Sequence, residues 1–251
     1  MTGLRVGDDD DAATADLQAG LVRLAGLVAD TLSLQQVLSE VSAAAVRAVP
    51  GAEGAGLAMV GPPDARVVAS ASSASFVAEL DALQYRSLWE GPGVTAMDDR
   101  RSVWSNSLGG ERLWPHFGPR AGRAGVHSAL AMPLTVSDRM VGALCVYARG
   151  KGVFDDSAAG IAELFSAPAA VAVHNARVLS DARALAGQLR AALSTRPIID
   201  QAIGIIRSRT GRTAGEAFDQ LRDLSQSEQR KLSDVAERVV EEAVRRVRNR
   251  H

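Results

Sequence analysis

The sequence predicts an α+β fold: an antiparallel sheet flanked by helices, then a coiled-coil linker, then a C-terminal three-helix bundle. Three observations lead there. Short apolar runs alternate with turns through the middle of the chain, with helical spacing on both sides. A 3–4 repeat runs without a gap from Ile161 to Ala192. Residues 196–251 hold three amphipathic stretches that can bury their apolar faces only against one another.

Taken in order, the acidic residues Asp8 to Asp11 repel one another and bury nothing, so residues 1–12 read as a disordered acidic tail. Leu17, Leu21, Leu24 and Val28 form one helical stripe; Thr31-Leu-Ser33 interrupts; Leu34, Val37, Leu38, Val41, Ala45 and Val49 form a second, ended by Pro50-Gly51. Gly56–Val60 and Arg66–Ser70 read as a hairpin around Gly61-Pro-Pro-Asp64. Phe76 to Trp89 has helical spacing, and Gly91-Pro-Gly93 reads as a breaker. Ser102–Ser105 is a short strand, residues 105–126 a loop with a short helix, and Ser128–Val136 and Met140–Tyr147 are strong strands. Strands in hairpins with helices at both ends argue for an antiparallel sheet covered by helices. This part takes residues 13–173.

The chain is 47% hydrophobic but only 4% aromatic, so its core must be built from alanine, valine and leucine. The single cysteine, Cys145, excludes an internal disulfide and a multi-cysteine zinc site and fits a reducing compartment. MTGLRVGDDDDAATAD is not a signal peptide, and no apolar run of about 18 residues stands out, so a cytoplasmic protein without a membrane span is expected. Residues 177–251 carry 15 Lys and Arg against 10 Asp and Glu, a balance of +5, leaving −6 on residues 1–176. A basic C-terminal part points to an anionic partner.

The repeat from Ile161 continues through Leu164, Pro168, Val171, Asn175, Val178, Ala182, Leu185 and Leu189. Proline at 168 is expected to kink or restart the helix. Asparagine at 175 fixes register in an apolar seam. Two readings of residues 157–176 stand: a helix packed on its own sheet, or one strand of a parallel homodimer. Beyond Asn175 the dimer is the simpler answer. The expected seam is Val171, Asn175, Val178, Ala182, Leu185 and Leu189, with the linker at 174–195.

In the C-terminal module the first helix carries Ile199, Ala202, Ile203 and Ile206 and ends at Gly211. Thr213-Ala-Gly-Glu216 fits a capping box. The second helix carries Ala217, Phe218, Leu221 and Leu224 and breaks at Ser225-Gln-Ser227. The third carries Leu232, Val235, Ala236, Val239, Val240 and Val244. Phe218 is expected in the core. Arg207, Arg209 and Arg212 cluster at the end of the first helix, and Arg230 and Lys231 open the third. Such groups suit phosphates, or are solvated surface charge.

Two resemblances complete the reading. Gly125-Val-His-Ser-Ala-Leu-Ala-Met-Pro-Leu134, Val141-Gly-Ala-Leu144 and Phe154-Asp-Asp156 resemble the C-terminal half of a GAF domain. That implies a sheet of about six strands with helices on one face and a ligand pocket on the other. Ile199-x-x-Ala202-x-Gly204-Ile205, Gly211, Ala214-x-Glu216-Ala217-Phe218, Leu221-Arg222, Leu224-Ser225-Gln226, Arg230-Lys231-Leu232 and Val235-Ala236 resemble the ANTAR domain across essentially the whole of 196–251. That resemblance implies recognition of paired RNA stem-loops, which stops a terminator hairpin from forming. With it, Arg196, Gly204, Arg207, Arg209, Arg212, Arg230 and Lys231 are taken as the RNA-contacting residues. Gln229 stands where the family usually has asparagine, and Gly215 where an acidic residue is common.

No P-loop, G-x-S-x-G or H-E-x-x-H pattern occurs, so no enzyme is expected. His116, His127 and Cys145 give only a weak metal reading, and no metal is assigned. The GAF-like pocket is expected to use Trp104, Trp114, His116, Phe117, Arg120 and Arg123, aromatic walls with two cations for an anionic ligand; equally, the tryptophans fill the core and the arginines face water. The cofactor is not indicated. The rival to RNA binding is a dimeric scaffold, without ligand sensing, whose C-terminal helices hold a protein.

Overall fold

The computed structural model describes residues 6–26, 32–61 and 66–249. The chain divides into two compact units, Met1–Ser180 and Asp181–His251. The first holds a five-stranded antiparallel sheet of β1 (Gly54–Val60), β2 (Val67–Ser72), β3 (Val103–Ser105), β4 (Ser128–Val136) and β5 (Arg139–Ala148), in the order β2-β1-β5-β4-β3. Ser137 and Asp138 turn β4 into β5 with φ of 47° and 61°, the doubly positive geometry that matches strand twist in a two-residue hairpin. Gly142 on β5 lets β1 approach, since a Cβ there would strike the Ala58 carbonyl oxygen.

Helices cover both faces of this sheet and it has five strands, which corrects the expectation of about six strands with helices on one face and a ligand pocket on the other. On the first face lie α1 (Val6–Ala25), α2 (Leu34–Ala48) and the start of α6 (Asp156–Thr210). Ser33 caps α2 in a capping box: its Oγ accepts from Gln36 N (3.3 Å) and its N–H donates to Gln36 Oε1 (2.8 Å). Val37, Leu38 and Val41 then meet Leu57, Leu130, Leu144 and Phe165 in one core. Helix α1 begins at Val6, inside the stretch 1–12 read as a disordered tail; residues 1–5 and Val28 lie outside the described residues.

On the second face lie α3 (Ser75–Asp81), a π-helical turn (Ala82–Leu88), α4 (Pro92–Asp99) and α5 (Phe117–Arg123). The Gly91-Pro-Gly93 breaker proves to be the start of α4: proline at the first helical position lacks only a donor the helix would not use. The interior β1 is buried along its whole length, as a strand packed on both faces must be.

Helix α6 runs unbroken through Pro168 and Pro197. Up to residue 176 it is apolar on two opposite sides. Ala162, Phe165, Ala169, Val173 and Ala176 are buried against the sheet, while Leu164, Val171 and Val178 are 64%, 48% and 55% exposed. So this helix does pack on its own sheet, but not through the heptad stripe. The same double loading gives Asp156–Arg190 a mean hydropathy of 1.2 in its most apolar window, enough by length and composition for a membrane span, which the sequence reading did not foresee.

In the second unit the end of α6 packs with α7 (Ala214–Ser227) and α8 (Leu232–Arg248). Gly211 (φ 73°) closes α6. Thr213 caps α7, its Oγ1 accepting from Glu216 N while Glu216 Oε2 accepts from Thr213 N (2.9 Å). Replacing Thr213 with alanine should cost this bundle about 1 kcal/mol, read as a lower urea midpoint for the C-terminal unit. The predicted break at Ser225-Gln-Ser227 falls late: α7 continues to Ser227 and turns at Gln229.

Candidate nucleic-acid interface and ligand cavity

The core of the C-terminal bundle is Ala202, Ile206, Ala217, Leu221, Val235 and Ala236, all at 6% exposure or less. Its alanines bring the three helices close, and among the described residues no Lys or Arg is buried. Arg207 and Arg209 occupy the last turn of α6, Arg212 the turn into α7, and Arg230 and Lys231 the turn into α8; all five are exposed, as is Arg196. Arg212 Nη1 donates to Gln220 Oε1 at 2.8 Å. Arg222 pairs with Asp219 and Arg238 with Glu228 (2.8 and 2.6 Å). Among the described residues none of the five turn cations enters such an ion pair, although the carboxylates of Glu216 and Glu228 feel the charges of Arg212 and Arg230.

Gly204 is exposed, and a Cβ built on it meets nothing within 4 Å. Packing inside the chain therefore does not require glycine there. Gln229 has φ 52°, a left-handed conformation that asparagine adopts more readily than glutamine. The departure noted in the sequence thus bears on the backbone of the α7–α8 turn. Phe218, expected in the core, is 37% exposed. It gives this surface an aromatic edge that the periodicity of α7 did not reveal, because position 218 borders the buried stripe.

In the first unit a cavity of about 960 Å³ follows the free edge of β2, lined by Ser70, Ser72, Asp81, Tyr85, Arg86 and Trp89, among others. Asp81 joins this cavity to a buried polar cluster behind it. Asp81 accepts from Ser72 Oγ (2.8 Å) and from Gln84 Nε2 (3.3 Å). Gln84 also donates to Tyr147 Oη (2.8 Å) and accepts from Gly93 N (3.1 Å). Burial pushes the Asp81 carboxyl up to about 6, against the two hydrogen bonds that lower it. Burial and the neighbouring Asp81 push the Cys145 thiol up to about 12, and Tyr85 and Tyr147 are raised as well, burial again being the main cause. The carboxyl packs against Gly56 on β1, where a Cβ would collide with it. The π-helical turn that holds Gln84 and Tyr85 ends at Trp89 (φ 51°); such turns recur at functional sites. The sequence reading missed Asp81 and Gln84, which look like ordinary surface positions of a short helix.

The six residues expected to form the pocket do not converge. Trp114 and Phe117 are core side chains, 1% and 0% exposed, and Trp114 Nε1 donates to Thr95 Oγ1 at 2.8 Å. Trp104 is exposed on the edge strand β3, and His116, Arg120 and Arg123 are exposed. His116 is held by Glu90, whose carboxylate accepts from the backbone N–H groups of His116 and Phe117 (2.7 and 2.8 Å) and meets the His116 ring at 2.8 Å. Partial desolvation tends to raise Glu90, but these bonds hold it below the ordinary range. Arg123 lines a separate cavity of about 420 Å³ with Ser107, Gly110, His127 and Lys151. Among the described residues no group of three His, Cys, Asp or Glu could hold a metal ion.

Known proteins share this architecture. The GAF domain from a phosphoenolpyruvate-protein phosphotransferase of Coxiella burnetii is 15% identical, with a TM-score of 0.51 over 68% of this chain and 98% of that one. Free methionine-R-sulfoxide reductase from Neisseria meningitidis, in complex with its substrate, is 14% identical, with a TM-score of 0.50 over 68% of this chain and 93% of that one. At such identities the likeness is one of fold. A comparison with curated proteins finds no match. The family model of the GAF domain matches residues 31–174, and that of the ANTAR domain residues 187–240. GAF domains are sensory and ANTAR domains are RNA-binding antiterminator domains, a regulatory rather than a catalytic pairing. The chain belongs to the GAF domain family and carries an ANTAR domain in its C-terminal unit.

Proposed function

We propose that this protein is a signal-responsive, cytoplasmic regulator that binds paired stem-loops in nascent transcripts and prevents terminator formation. Two copies pair in parallel through the α6 stripe, so that two C-terminal bundles meet two hairpins. A small molecule in the cavity over Asp81 is the signal. The observation that carries the reading is the placement of Arg207, Arg209, Arg212, Arg230 and Lys231 in the exposed turns of an apolar three-helix bundle matched by the ANTAR family. Phosphates need such cations, and loop bases need the guanidinium planes or the Phe218 ring for stacking. Pairing is supported by the stripe itself, whose Leu164, Val171, Val178, Leu185 and Leu189 are all exposed.

The test is affinity for a two-hairpin leader as a function of salt. Replacing Arg230 and Lys231 with alanine should weaken binding and flatten the salt slope by about 1 for each lost phosphate contact. Unchanged affinity and slope would remove both residues from the interface. Exposure of Phe218, Val244 and Val247 favours a second reading, in which the bundle holds a protein. RNA affinity that is weak and indifferent to hairpin sequence would support it.

A further inference from the structure

Within the C-terminal unit, one stripe of α6 is used in two ways. On Ala182, Leu185 and Leu189 it is exposed, the two leucines at 57% each. On Ile199, Ile203 and Ile206 the same repeat turns onto α7 and α8; Ile206 is 6% exposed, and Ile199 and Ile203 are half-buried against that core. The three isoleucines occupy the a and d positions of the heptad, where branched aliphatic residues favour a paired stalk. A stalk that zipped on to them would draw them from Ala217, Leu221, Val235 and Ala236, which would lose their cover. The last a position before them is Arg196, which is exposed.

We propose that Arg196 is the stop that ends the paired stalk. In a parallel pair two guanidinium groups would face each other across the axis, where like charges repel and are poorly solvated. The next turn is then unfavourable, and the isoleucines stay with α7 and α8. Stalk and RNA-binding bundle compete for one set of side chains, and Arg196 decides the contest for the bundle. The proposal rests on the parallel pairing argued above, and it takes Arg196 away from the RNA surface.

The test uses the full chain and two variants, Arg196→Leu and Arg196→Gln. Sedimentation should show the dimer of Arg196→Leu tightened by about tenfold or more, and amide hydrogen exchange should show α7 and α8 losing protection in step. Salt should tighten the wild-type dimer by screening the paired charges and should have less effect on Arg196→Gln, whose RNA salt slope stays that of the wild type. A dimer constant indifferent to both variants, with α7 and α8 fully protected, overturns this proposal alone. So does an Arg196→Gln variant that loses about one unit of RNA salt slope while its dimer is unchanged, because Arg196 is then an RNA contact. A wild-type chain that stays monomeric overturns the pairing itself, and this proposal with it.

Discussion

Replacing Leu185 and Leu189 with lysine will give monomers whose affinity for a two-hairpin RNA is about a hundredfold lower, while affinity for a single hairpin is unchanged. Both leucines are 57% exposed in the isolated chain, so the substitution removes little packing. It places four cations on the seam of a pair, where the stripe would otherwise bury leucine against leucine. A tethered second bundle typically gains about 100-fold or more over independent binding, and that gain vanishes with the tether. Equilibrium sedimentation reads the first effect and gel-shift titration the second. Retained two-hairpin affinity in a proven monomer would show that the bundles do not act as a linked pair.

A second large effect is expected at Asp81. Its carboxyl is held at about 6 in the folded chain, against an ordinary 3.8, because burial penalises the charge more than Ser72 and Gln84 relieve it. Between those values the folded protein keeps a proton that the unfolded chain has released. This group's contribution to stability is therefore best below about pH 4, declines through that window, and is flat above about pH 6. The shift corresponds to about 3 kcal/mol. Asp81→Asn keeps hydrogen-bonding atoms toward Ser72 and Gln84 but carries no charge. It should stabilise the first unit by about 2 kcal/mol at pH 8 and leave it nearly unchanged at pH 4. Urea unfolding at the two pH values reads the difference. Equal midpoints for variant and wild type at both would mean that water entering the cavity already solvates the ionised carboxylate.

The parts of this molecule governed by local rules were legible in the sequence. The Thr213–Glu216 box, the Gly211 stop and the β4–β5 hairpin each depend on residues a few positions apart, and each stands where the spacing placed it. The parts that depend on tertiary packing were not. Trp114 and Phe117 lie in a Gly- and Pro-rich stretch that reads as loop, yet the second face of the sheet needs large side chains and takes them. Asp81 is an isolated carboxylate in the sequence; only the approach of β1 and β2 makes it buried. Phe218 fits an apolar stripe by count, but Ala217 and Leu221 close the bundle without it. The two-sided loading of α6 was hidden because alanine serves equally on either side.

The burial of Cys145 has a practical outcome. Its thiol is fully enclosed and held at about 12, so almost none of it is thiolate at neutral pH. Oxidants and maleimides meet no reactive sulfur on the folded protein. A cysteine introduced on the stalk would carry a spin label or fluorophore as the sole modified site, with the wild-type background left in place.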